Sequence, residues 1–243
     1  MSKKVLFGLD NMLIDSYRNR NGEVVIEPRP GVLELLDKLR ELKKQKEVEY
    51  VLFTGLPKRW VKTEVDVLGA QNFFDNIVSN ETYLAIKPGS IEDKVFGIHS
   101  EFYGLKPFTV IEGDLLLIED NPIMQRAGEA IKSEYEMKDL NRIIDICKVD
   151  FYESIDNRRY DIIDELEETQ EKTAFNIKRI QKMRENLDTI MEKGMLEMEK
   201  IYDNIVQFAS ENFVPSQRVN KYLPVADKDD FESQLQRLID LHF

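Results

Sequence analysis

Four places in this 243-residue chain put a side chain capable of acid, base or phosphate chemistry at the end of an apolar run or the start of a helix. Asp10 follows Val5-Leu6-Phe7-Gly8-Leu9, and Thr54 follows Tyr50-Val51-Leu52-Phe53 and precedes Gly55. Lys87 stands before Pro88-Gly89, and Glu119-Asp120-Asn121-Pro122 closes the run from Leu115 to Ile118. Carboxylates are hard oxygen ligands of the kind Mg²⁺ takes, and a lysine is a point charge that can meet a phosphate. On this chemistry Asp120 and Lys87 could hold Mg²⁺ or phosphate weakly, with Asp10 as a further oxygen ligand. Taken singly, a Thr-Gly pair is a turn and a lone lysine is a solvated charge. What singles these residues out is their common placement, one after another, at strand ends and helix starts. A zinc centre is disfavoured, because His99, His242 and Cys147 are the only histidines and the only cysteine.

The elements that must position these groups read clearly in the first 150 residues. A short continuous apolar run over 4–9 is the pattern of a strand buried on both faces of a parallel sheet. Asn21-Gly22, flanked by Leu13–Tyr17 and Glu23–Ile26, predicts a hairpin flap beside the end of that strand. Val32, Leu33, Leu35, Leu36, Leu39 and Leu42 recur at helical spacing after Pro30-Gly31, so 31–44 reads as an amphipathic helix, and a flap plus one helix leaves no room for a large cap. Strands over 50–53 and 73–78 enclose a helix through Val61, Val65 and Leu68, and Lys87-Pro88-Gly89 opens another. Runs at 108–111 and 115–118, separated by Gly113-Asp114, read as a tight hairpin, and a helix follows over 123–133. Repeated alternation of strand and helix through about residue 150 predicts a doubly wound, mostly parallel α/β domain over 1–150, with sites at the carboxyl ends of its strands.

These residues, in this order, resemble the motifs of the haloacid dehalogenase (HAD) superfamily, of the type without a large cap. The usual first motif is an apolar strand followed by Asp-x-Asp-Gly-Thr-Leu-x-Asp. In that register Asp10 falls on the second aspartate, and Leu13, Ile14 and Asp15 also match. The resemblance implies that Asp10 is the general acid, Thr54 the hydroxyl that holds the phosphoryl group, Lys87 the charge-balancing lysine and Asp120 a Mg²⁺ ligand. It covers roughly residues 4–145. Two departures bear on chemistry: Gly8 stands where the family carries its nucleophilic aspartate, and Met12 where it carries threonine; Asn11 also replaces the motif glycine. Asp10 cannot take over the attack from its own position. Residues two apart in a strand are separated by about 6.6 Å, against the roughly 3–3.5 Å of a reactive approach. The resemblance therefore points to a fold kept and a catalytic centre degraded, with Asp10, Thr54, Lys87 and Asp120 as a retained hydrogen-bond and charge network.

From about 158 the composition shifts to Glu, Lys, Gln, Met and Ile, with no proline before Pro215. Ile163, Leu166, Ile177, Ile180, Leu187, Met191, Met198, Ile201, Ile205 and Phe208 follow a three-four alternation that Gln170, Thr173, Arg184 and Gly194 interrupt. This is a heptad seam with defects, predicting over 158–212 either one long helix that projects to a partner or a hairpin folded back near Gly194. Residues 213–243 read as an irregular segment ending in a short helix from about 229.

The chain carries 46 acidic against 34 basic residues, a net charge of -12, which opposes binding to a nucleic-acid backbone. A single cysteine suits a reducing, cytoplasmic setting, and no apolar run reaches the roughly 20 residues of a membrane span. The leading expectation is an inactive HAD-like binding or structural module. Its helical segment at 158–212, and with it 229–243, would self-associate or attach to a protein partner, as in a larger assembly. The alternative is a Mg²⁺-dependent phosphohydrolase with an atypical site, so the cofactor is either none or Mg²⁺.

Overall fold

Lys3–Phe7 forms β1, the middle strand of a five-stranded parallel sheet in the computed structural model, which describes residues 2–9, 11–18, 22–79, 91, 111–138, 142–150, 163, 166–168 and 173–210. β2 (Ile14–Arg18) and β3 (Val24–Pro28) pair antiparallel as the expected flap, with Tyr17 opposite Val25. After α1 (Val32–Gln45) the chain returns through β4 (Val48–Phe53), α2 (Lys58–Val67) and β5 (Asn76–Val78). β6 (Asp114–Glu119), α3 (Pro122–Met137) and β7 (Ile144–Lys148) complete the sheet, and α4 (Ala174–Ala209) follows. The strand order is β5-β4-β1-β6-β7. The chain thus winds outward on one side of β1 and then on the other, and the winding reverses between β1 and β6.

Alternation along the strands makes two cores. Val5 and Phe7, with Tyr50, Leu52, Leu116 and Ile118, face the side covered by α1, α2 and the second half of α4. Leu6, with Val51, Phe53, Leu115 and Leu117, faces α3 through Met124, Ala127 and Ile131. A sheet buried on both faces explains why its strands read as continuous apolar runs.

One expectation changes, one strand is added and one alternative is decided. β6 is paired on both edges, to β1 and to β7, in parallel. No edge of it is left for a hairpin partner, so Gly113-Asp114 is the lead into a central strand. Asp114 N donates to Ser2 O there, and the positive φ of Gly113, 101°, sets the turn. β7 was not singled out in the sequence, although Ile143-Ile144-Asp145-Ile146-Cys147 is an apolar run of the right length. The helix over 174–209 runs unbroken through Gly194, so the chain does not turn back there.

The seam of α4 is largely satisfied within the chain. Ile163 packs with Ile180 and Leu187, joined by Leu166, Met183 and Ile190. Met198, Ile201, Ile205, Phe208 and Ala209 lie in the same core as β1 and α1. The line drawn at about residue 150 therefore separates segments that share one core. The defects of the seam acquire reasons: Thr173 is the N-cap, its side chain accepting from Asn176 N, and Arg184 reaches back to Glu167 at 3.0 Å. Gly31 sits at the left-handed φ of 80° that favours glycine, and a Cβ there would in addition stand 3.2 Å from the Met195 Cα. The helix expected after Lys87, the strand start at 108–110 and the segment 213–243 lie outside the described residues. Among the described residues no helix is long and apolar enough to cross a membrane.

Candidate functional site

The carboxyl ends of β1, β4 and β6 lie side by side, and adjacent strands at about 4.8 Å bring their following residues together. Gly8 and Leu9 leave β1, Thr54, Gly55 and Leu56 leave β4, and Glu119 with Asp120 leaves β6; together they line a cleft of about 140 Å³. This is where open α/β sheets bind ligands, at the point where the winding reverses. Thr54 and Asp120 are thus brought to one cleft with Gly8. Asp10 and Lys87 lie outside the described residues.

Each lining group is held by its own loop. Thr54 is buried; its N–H donates to Val78 O at 3.0 Å, tying the loop to β5, and its Oγ1 accepts from Leu56 N at 3.2 Å. Glu119 Oε1 accepts from Asn121 N at 3.0 Å, and Asn121 Oδ1 accepts from Ile123 N at 2.9 Å. Asn121 is thereby the N-cap of α3 with Pro122 at the first helical position, where a missing N–H costs nothing. The Glu-Asp-Asn-Pro sequence is one device that ends a strand, starts a helix and leaves two buried carboxylates, Glu119 and Asp120, at the cleft.

The loop after β1 is tightly determined. Leu13 N and Ile14 N both donate to Leu9 O, at 2.9 and 3.1 Å, and Asn11 sits at φ 58°. Asparagine visits this left-handed region more readily than most residues, which is why it can stand in for the motif glycine. Arg29, 3% exposed, donates from Nη1 to Asn11 O at 2.7 Å, and its own N–H donates to Leu13 O. Arg29 was not singled out in the sequence. Its signal was its place at the end of β3, where a cation facing the flap's first loop has carbonyls to meet.

Met12 packs beside Gly8. It is wholly buried, and a Cβ built on Gly8 would stand 3.1 Å from Met12 Cγ and 3.4 Å from its Cβ. The backbone of Gly8 is not in the left-handed region, so its conformation would accept any L residue. A side chain at position 8 would therefore meet Met12 in tight contact, and Met12 would have to shift by a few tenths of an ångström to admit it. The two departures from the motif are packing neighbours.

The donor set was tested for a divalent cation. Among the described residues no three carboxylate, histidine or cysteine groups cluster as metal ligands. Glu119 and Asp120 supply two carboxylates, one oxygen of which accepts the Asn121 N–H, and Gly8 supplies none. Mg²⁺ keeps several waters and takes one or two protein carboxylates, so Glu119 and Asp120 fit such a site, while Asp10 lies outside the described residues.

No family model matches the chain, and no curated protein matches it. Solved structures similar to it include 3-deoxy-D-manno-octulosonate 8-phosphate phosphatase from Moraxella catarrhalis, in complex with magnesium ion, phosphate ion and KDO, at 14% identity and TM-score 0.30 over 54% of this chain. A putative β-phosphoglucomutase from Thermotoga maritima is similar at 20% identity and TM-score 0.32 over 54%. The HAD domain of the effector protein Lem4 from Legionella pneumophila is similar at 12% identity and TM-score 0.35 over 66%. The chain spans 63% of the Moraxella protein, 50% of the Thermotoga protein and 92% of the Lem4 domain.

Proposed function

We propose that this chain is a HAD-like module that has given up phosphoryl transfer and works by binding. The observation that carries the reading is the 3.1 Å between Met12 Cγ and the position a Cβ on Gly8 would take. Nucleophilic catalysis needs an attacking atom within reach of phosphorus. Here the side chain at the nucleophile position is absent, and the Met12 side chain packs against the place where its Cβ would stand. Thr54 and the Glu119–Asp120 pair remain at the cleft, each held by hydrogen bonds of its own loop.

The test is phosphate release from a broad phosphomonoester panel in the presence of Mg²⁺. The wild-type chain is expected to be silent, and Gly8→Asp with Met12→Thr to gain activity. Release by the wild type that falls in Asp10→Asn and Asp120→Asn overturns the proposal. It would instead establish the second reading, a phosphohydrolase whose attacking water is oriented by Asp10. That reading is favoured by the meeting of Thr54 and Asp120 in one cleft.

The binding role falls to α4. Because most of its seam is occupied by the chain itself, contact with a second copy or another protein would use the exposed side chains Phe175, Met195 and Leu196, together with the seam residues Ile177 and Met191 that the fold leaves exposed. Light scattering on the full chain tests self-association. Met195→Glu with Leu196→Glu is expected to reduce the assembly to monomer, and a monomeric wild type refutes that arm.

A further inference from the structure

α2 and α4 each present an exposed face with apolar side chains at its centre, and the two faces carry opposite charge. The first turn of α2 holds no acid but Lys58 and Arg59, and Lys62 follows one turn on. Cations at a helix N-terminus oppose the dipole, so this placement works against the helix itself. Among the described residues neither Arg59 nor Lys62 has an ion pair, and the exposed acid of α2, Asp66, stands in its last turn. Between the two cations Trp60, the one tryptophan of the chain, is 42% exposed.

α4 carries the reverse pattern. Glu185, Asp188, Glu192, Glu199 and Asp203 are all exposed, and their spacing of three, four, seven and four residues puts them on one stripe of the helix. Among the described residues none of the five has an ion pair. Lys182 and Lys193 border the stripe, and Lys200 is taken by Glu197 at 3.0 Å, so the stripe stays acidic. Met195 and Leu196, the latter 64% exposed, lie at its middle, with Glu192 and Glu199 one turn to either side.

We infer that the α2 face of one copy docks on the α4 stripe of a second copy, a contact that rests on the binding role proposed above and names its other half. Trp60 covers Met195 and Leu196, and Arg59 and Lys62 face Glu192 and Glu199. Tryptophan, arginine and methionine are enriched at protein interfaces, and a thioether against an aromatic ring is favourable. A second copy is the occupant because one chain carries both halves of the match, and both are exposed within it. Charge selects this pairing over α4 against α4, where acid would meet acid. The contact is head to tail, so it repeats from copy to copy into a ring or a filament.

Light scattering and tryptophan emission on the full chain, read over a concentration series at low ionic strength, test it. The wild type should associate, and its emission should move to shorter wavelength as Trp60 leaves water. Arg59→Glu with Lys62→Glu should weaken association about a hundredfold, and so should Glu192→Lys with Glu199→Lys, because each sets like charges face to face. The first pair of changes favours the α2 dipole, so its melting temperature should not fall. All four changes in one chain exchange the signs and should bring association back to within about tenfold of the wild type. Failure of that rescue overturns the contact, as does emission that is independent of concentration. Association that survives Arg59→Glu with Lys62→Glu but is lost in Met195→Glu with Leu196→Glu overturns the head-to-tail contact alone. A wild type that stays monomeric overturns both this contact and the self-association on which it rests.

Discussion

If Met12 crowds a side chain at position 8, the two residues must be energetically coupled, and a double-mutant cycle measures that coupling. Gly8→Ala adds one methyl 3.1 Å from Met12 Cγ in a fully buried setting. Overpacking of this kind costs about 1–3 kcal/mol, partly offset by the roughly 0.4–1 kcal/mol gained when alanine replaces glycine at a compatible backbone position. Met12→Ala removes Cγ, Sδ and Cε from the core and costs about 2–5 kcal/mol. In the double variant the new methyl meets only the alanine Cβ, at the ordinary contact distance of 3.4 Å, and it fills part of the vacated space. The double variant should then lose less stability than the two single losses summed, by roughly 1 kcal/mol or more, well above the 0.3–0.5 kcal/mol scatter of independent sites. Denaturant unfolding of the four proteins, with a common slope, gives the numbers. Additivity within that scatter would refute the tight contact between Met12 and a side chain at position 8, and with it the main support for a crowded nucleophile site.

Three further outcomes follow from particular contacts. Phe208→Ala empties a wholly buried position in the core shared with β1, where the Lys3 ammonium lies 5.9 Å from the ring centroid. It should cost about 3–5 kcal/mol and lower the melting temperature of the whole α/β unit by roughly 10 °C, and an unchanged transition would mean that α4 is an appendage. Asn11, at φ 58°, should tolerate glycine at nearly no cost, whereas Asn11→Val should lose about 1–2 kcal/mol in urea unfolding. Burial pushes the Cys147 thiol up from 9.0 to about 12, and burial also raises the Tyr50 phenol. A folded pKa above the unfolded one means stability that is complete below the unfolded value and lost as pH rises above it, from pH 9.0 toward about 12 for Cys147 and from pH 10.0 upward for Tyr50, with a slope near 1.4 kcal/mol per pH unit for each group. Unfolding midpoints measured through that window should fall, and fall less in Cys147→Val; a pH-independent midpoint would contradict the burial of both groups.

Local chemistry in the sequence carried much of the domain. Apolar runs bounded by turn residues marked β1, β4 and β6, and the leucines at helical spacing marked α1, because a sheet covered on both faces and a helix covered on one leave distinct periodicities. The motif positions likewise pointed to strand ends, and Thr54 and Asp120 do reach one cleft with Gly8. Other features lie in pairings that no local pattern states. Whether 115–118 turned back in a hairpin or entered the centre of the sheet depended on both edges of β6 being taken by β1 and β7, which are distant in sequence. The heptad spacing of α4 was legible, but the same spacing serves a partner or the chain's own core. The burial of Ile201, Ile205 and Phe208 beside β1 and α1 chose the core. Gly8 and Met12 were each visible as departures from the motif. That they are packing neighbours follows only from the turn that brings residue 12 back over residue 8, where one side chain crowds the place another would take.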